Sequence, residues 1–111
     1  MDNLSDIFSI SREVAADGRE IRLRVVGEID MATAPRIDEA LWSALDEGYE
    51  RIAIDLSGVE FMDSAGLNAL ISARNAADAR GVTLVIAELS DRARRLFEVS
   101  GLMTVFTFAS S

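Results

Sequence analysis

Apolar and polar residues alternate twice near the start of the chain, and both stretches read as strands. Phe8, Ile10, Arg12 and Val14 fall on one side of an extended segment, with Ser9, Ser11 and Glu13 on the other. Ile21, Leu23 and Val25 alternate with Arg22 and Arg24, the pattern of a strand with one wet face. Asp17-Gly18 lies between them and supplies turn chemistry, so the pair predicts a hairpin. The apolar period then lengthens. Ile37, Leu41, Ala44 and Leu45 repeat at helical spacing, with Thr33 placed to cap the helix and Pro35 in its first turn. Gly48 fits just beyond its end.

Residues 52–56 read as a third strand, followed by a loop through Ser57-Gly58 into Phe61-Met62-Asp63-Ser64. The next helix, 65–80, is apolar at Leu67, Leu70, Ile71 and Ala77 and stops at Gly81. Arg74 falls inside that stripe, and its stem is expected to snorkel to the edge of the core. Residues 82–87 are almost continuously apolar, as in a strand covered on both faces. Ser90 caps a helix carrying Ala93, Leu96, Phe97 and Val99, which Gly101-Leu102 ends. Residues 104–108 would be the last strand. The order β-β-α-β-α-β-α-β predicts an α/β fold with a mixed central β-sheet covered by α-helices. With no internal repeat, low-complexity stretch or linker, the 111 residues form one domain, structured over about residues 5–108.

Composition narrows the chemistry. Hydrophobic residues make up 50% of the chain, enough for a core without staples. The 19 acidic residues outweigh the 11 basic ones for a net charge of −8, a surface that repels nucleic acid phosphates. Any effect on transcription would pass through another protein. Every basic residue is arginine, and cysteine, lysine and histidine are absent. That removes disulfides, thiolates, a zinc site built on cysteine, Schiff-base and P-loop lysines, and every histidine-dependent triad. No cofactor is expected. The longest apolar runs are far too short to span a bilayer, and Met1-Asp2-Asn3-Leu4-Ser5-Asp6 lacks the basic flank and apolar stretch of a signal peptide. A cytoplasmic protein with no membrane partner is the expectation.

The informative segment is Phe61-Met62-Asp63-Ser64-Ala65-Gly66-Leu67, which passes from a loop straight into a helix. A hydroxyl there sits beside unpaired backbone N–H groups and the positive end of the helix dipole. On local sequence the plainer reading is that Asp63 or Ser64 caps the helix and Gly66 gives backbone room. Gly27-Glu28-Ile29-Asp30 ends the second strand. If strands two and three run parallel, Asp30 emerges at the same carboxyl edge as Asp63 and Ser64. Paired carboxylates could hold a divalent metal or do acid–base work, but the reading in which both cap helices or solvate loops is favoured over metal binding.

These segments, with Asp55-Leu56-Ser57-Gly58-Val59, Arg94-Arg95-Leu96-Phe97 and Ser100-Gly101-Leu102, resemble the anti-sigma factor antagonists among the sulfate transporter and anti-sigma factor antagonist (STAS) domains. The likeness runs from the first strand to Phe108 and implies a STAS-like single domain. It implies that the domain binds an anti-sigma factor, a serine kinase with the ATPase fold of histidine kinases, and thereby releases a sigma factor. The serine after the motif's aspartate would be phosphorylated by that kinase and dephosphorylated by a PP2C-type phosphatase. Here that serine is Ser64. The commonest form of the motif has a second serine where Ala65 stands, so Ser64 is the motif's only hydroxyl. The partner-binding residues implied are Asp30, Met31, Thr33, Asp63, Ser64, Ala65, Gly66, Leu67 and Asn68. A homodimer and a monomer both fit the sequence. The alternative within the family is a scaffold or subunit module in a stress-signalling or transport complex. A hydrolase using Ser64 would need a histidine, lysine or cysteine to activate it, and the chain has none, so no enzyme is expected.

Overall fold

The computed structural model describes residues 8–109; residues 5–7 of the expected structured span, and the acidic N-terminal segment, lie outside them. Strands β1 (Ser9–Val14) and β2 (Glu20–Ile29) are antiparallel and joined by the expected tight connection. Ala15 N–H donates to the Glu20 carbonyl at 2.9 Å, and the Arg19 N–H donates to Asp17 Oδ1 at 2.9 Å. Helix α1 (Ala34–Asp46), strand β3 (Arg51–Met62), helix α2 (Ser64–Arg80), strand β4 (Thr83–Leu89), helix α3 (Asp91–Val99) and strand β5 (Thr107–Phe108) follow. The strands lie in chain order, with β2 through β5 parallel.

One side of this mixed sheet carries the core. Ile21, Leu23 and Val25 of β2, Ile52, Ile54 and Leu56 of β3, and Leu84 and Ile86 of β4 join one cluster with residues from all three helices, among them Ile37, Leu41, Leu70, Ala73, Ala93 and Phe97. In β4, Leu84, Val85 and Ile86 are all buried, so both faces of that strand are covered. The Phe97 ring meets those of Phe106 and Phe108 at centroid distances of 5.4 and 6.2 Å. The opposite side of the sheet is polar where Ser11, Glu13, Arg22, Arg24 and Asp55 of β1–β3 and Glu88 of β4 surround an open concavity of about 530 Å³. Among the described residues, no helix is long and apolar enough to cross a membrane.

Three sequence expectations are corrected. Residues 57–62 are strand, not loop. The β3 residues that join the core cluster run at spacing two through Ile52, Ile54 and Leu56, then at spacing three through Val59 and Met62. The cause is a pair of bulges in β3: Arg24 pairs with Asp55 but Val26 with Gly58, and Gly27 pairs with Val59 but Glu28 with Phe61. The last strand is also shorter than expected, because Leu102–Thr104 forms a 3-10 turn. Arg74 Nε–H donates to the Val105 carbonyl at 2.9 Å, so the chain there bonds to a side chain of α2. Arg74 thus ends in a specific bond where only a snorkelling stem was foreseen. Finally, Val99 does not share the buried stripe of α3 and is 76% exposed. Two residues past Phe97 it stands about 200° around the helix.

Candidate functional site

The site forms where two parallel strands end together. Ile29 and Met62 are register partners, and the Asp63 N–H donates to the Ile29 carbonyl at 3.2 Å, so the pairing continues one residue past the strands. Asp30 and Asp63 therefore leave the sheet side by side at its carboxyl edge, as the parallel pairing required.

Each aspartate is occupied by its own loop. Asp30 Oδ1 accepts from the N–H groups of Ala32 (2.9 Å) and Thr33 (3.1 Å). Thr33 holds the N-cap position of α1 but makes no capping bond, contrary to expectation, because its backbone is already helical (φ −100°, ψ −20°). Its hydroxyl instead donates to the Glu28 carbonyl at 2.9 Å and accepts from the Asp30 N–H at 3.0 Å. Asp63 is extended (φ −119°, ψ −170°) and its Oδ1 accepts from the Ala65 N–H at 2.9 Å, which makes it the N-cap of α2. Among the described residues no group of acidic side chains is arranged to hold a metal ion.

Ser64 is consequently left over. It is the first residue of α2, exposed, and its hydroxyl has no hydrogen-bond partner among the described residues. It stands at the positive end of a 17-residue helix. Of the other residues expected at the partner surface, Met31 is 80% exposed, Asn68 is exposed, and Thr33 and Ala65 are half-buried. Gly66 and Leu67 are buried beneath them. Their place is structural support: a Cβ on Gly66 would meet Met62 Cγ at 3.1 Å, so the first turn of α2 rests directly on the strand ends.

Asp55 lies below this edge and is 4% exposed. Its Oδ1 accepts from the Ser57 N–H at 2.9 Å and its Oδ2 from an Arg22 Nη at 3.1 Å, which fastens the first bulge of β3. Burial alone would push this carboxyl up, but the Ser57 and Arg22 hydrogen bonds together hold it below its ordinary value.

The sequence reading missed a groove beside the site. Phe61, Met62, Arg92, Arg95, Leu96 and Val99 line a depression of about 280 Å³, open to solvent, with Phe61 44% exposed. The signal is present in the Arg-rich start of α3, but the sequence sets Leu96 and Val99 on the helix beside Ala93 and Phe97 without marking which are covered, and it reads Phe61 as loop.

Comparison with known proteins agrees with this architecture. A family model described as the STAS domain matches residues 11–111. An anti-sigma-B factor antagonist of Listeria monocytogenes is 42% identical over 100 residues, covering 88% of this chain and 87% of the relative. The crystal structure of an anti-sigma factor antagonist from Mycobacterium paratuberculosis superposes with a TM-score of 0.78 at 28% identity, over 93% of this chain and 87% of the other. The phosphorylated form of the Bacillus cell fate determinant SpoIIAA shares the fold with a TM-score of 0.70 at 20% identity, over 93% of each chain.

Proposed function

The chain belongs to the STAS domain family, on the side of its anti-sigma factor antagonists, and from that premise we propose that it binds an anti-sigma factor through the Asp30–Ser64 edge. Binding displaces a sigma factor, and phosphorylation of Ser64 by the anti-sigma factor acting as serine kinase turns binding off. A PP2C-type phosphatase restores it. The protein acts by docking, with no catalysis of its own.

One observation carries the reading most. Asp63 takes the cap of α2, so the hydroxyl of Ser64 is exposed and uncommitted at the helix start. A phosphate there adds about 1.5 to 2 negative charges near neutral pH. The helix dipole favours that anion by roughly 0.3–1 kcal/mol in the free protein. Against a docked partner the same group is a bulky hydrated charge in a closed contact. Like-charge juxtaposition at an interface costs several kcal/mol, about a hundredfold or more in affinity. The difference between these two terms makes one hydroxyl sufficient as a switch without a change of fold. Met31, Asn68 and Ser64 would touch the partner, with Asp30, Thr33, Asp63 and Ala65 around them, and Gly66 and Leu67 would fix the height of the helix.

The test begins with capture from cell extract, comparing wild type with Ser64→Asp. The anti-sigma factor bound only by wild type is then incubated with the protein and ATP, and peptide mass spectrometry should place a single phosphate on Ser64. Phosphate elsewhere with Ser64 untouched overturns the site. Recovery of the protein only in a large self-assembled particle would favour the scaffold reading.

A further inference from the structure

The arginines of this acidic chain divide unequally between paired and unpaired. Arg12, Arg19, Arg22, Arg51, Arg74 and Arg80 each form an ion pair with an acidic side chain, and Arg36 lies over the Phe8 ring. Among the described residues Arg24, on the polar concavity, and Arg92, Arg94 and Arg95 have no ion-pair partner, and the last three crowd the first turns of α3. On a chain of net charge −8 this is a local concentration of the minority sign.

Two of these cations border the apolar groove. Arg92 and Arg95 flank a depression whose walls are Phe61, Met62, Leu96 and Val99, and Val99 stands 76% exposed. An apolar side chain so exposed at a depression gains by being covered, and unpaired guanidiniums gain from carboxylates. The groove also lies next to the switch along the chain. Met62 forms part of its wall and is followed directly by Asp63 and Ser64.

We infer that this groove is a second docking site for the anti-sigma factor, taking an acidic segment of that partner which carries a bulky apolar side chain. The inference rests on the proposed function and adds a contact that phosphorylation does not gate. Ser64 would decide whether the complex forms, while the groove would decide which partner is held and how tightly. A second copy of this chain is a poorer occupant, since two molecules of charge −8 repel at long range. An anionic membrane is poorer still, because the same net charge opposes it and only two arginines flank the groove.

Three variants test this: the double charge reversal Arg92→Glu/Arg95→Glu, Val99→Asp at an exposed position, and Arg19→Glu as a remote charge-reversal control. Calorimetric titration with the anti-sigma factor captured by wild type should show the first two weakening Kd about tenfold or more, with the control within about twofold. The wild-type affinity should fall with added salt more steeply than that of the double variant. Introduced into Ser64→Asp, the double variant should weaken residual binding by a similar factor, because the sites act separately. Unchanged Kd in both groove variants overturns the groove while leaving the proposed function standing. If wild type binds no anti-sigma factor at all, both readings fall. Wild-type binding to anionic phospholipid vesicles, or a dimer seen by sedimentation, that is lost in the double variant would overturn the assigned occupant.

Discussion

A Cβ placed on Gly66 of α2 would lie 2.5 Å from Cγ2 of Ile29, the last residue of β2. Real Cβ atoms do not approach that closely, so alanine at this position must push aside the buried Ile29 side chain, lift the first turn of the helix or push back the strand end. Overpacking of this kind costs about 1–3 kcal/mol, against a helix-propensity gain of up to about 1 kcal/mol. Gly66→Ala should therefore lower the melting temperature and, because Ser64 and Asp30 are carried by the two displaced elements, weaken partner binding too. Thermal melts beside calorimetric titration check both effects.

The cap of α2 belongs to Asp63, which separates two neighbouring substitutions. Asp63→Ala should cost about 0.5–2 kcal/mol of stability. Ser64→Ala should stay within about 0.5 kcal/mol of wild type, since its hydroxyl bonds to nothing in the folded protein. Denaturant titration of the two variants decides this. Equal losses would mean that the serine shares the capping role.

Charge and scaffold can be separated at Asp30 as well. Asp30→Asn keeps an oxygen able to accept from Ala32 and Thr33 but removes the negative charge, so it should fold like wild type and bind more weakly. Asp30→Ala removes the acceptor also and should lose stability as well as binding, by about 0.5–2 kcal/mol of folding free energy for the abandoned N–H groups. Melting curves and dissociation constants for the pair provide the comparison.

Asp55 predicts a pH dependence. Its carboxyl is held below the ordinary value of 3.8, so the folded state releases this proton more readily than the unfolded chain does. The resulting stabilisation is fully present above pH values near that ordinary one and is lost as pH falls through the depressed folded value. Wild type should lose stability below about pH 4 more steeply than Asp55→Asn, whose amide does not titrate. Melting temperatures followed from pH 6 to pH 2.5 show this as converging curves; parallel curves would exclude Asp55 as the source.

The architecture was legible because most elements obey a simple period. Ile21, Leu23 and Val25 mark β2, Ile37 and Leu41 mark α1, and Leu84, Val85 and Ile86 mark β4, all buried as expected. The second half of β3 was not legible, because a bulge replaces the period of two by three and so imitates a loop. The site divided in the same way. Parallel pairing placed Asp30 beside Asp63 from sequence alone, and the Asp-Ser motif drew attention to the right turn. Which of Asp63 and Ser64 caps the helix, and what Thr33 does with its hydroxyl, depend on backbone angles that no periodicity encodes. The α3 groove escaped for a third reason, since an apolar residue carries no mark of whether a neighbour will cover it.

The two bulges of β3 have an arithmetic consequence. Each absorbs one extra residue, so the residues beyond it keep the side of their β2 partners: Val59 opposite Gly27 and Met62 opposite Ile29 are all buried. Between the Ile21–Ile52 pair and the Ile29–Met62 pair β3 uses two more residues than β2, yet the two strands end level and the following turn launches α2 over the core. Loss of a single bulge residue between Leu56 and Met62 should therefore straighten β3 locally while leaving Ser64 at the same edge as Asp30.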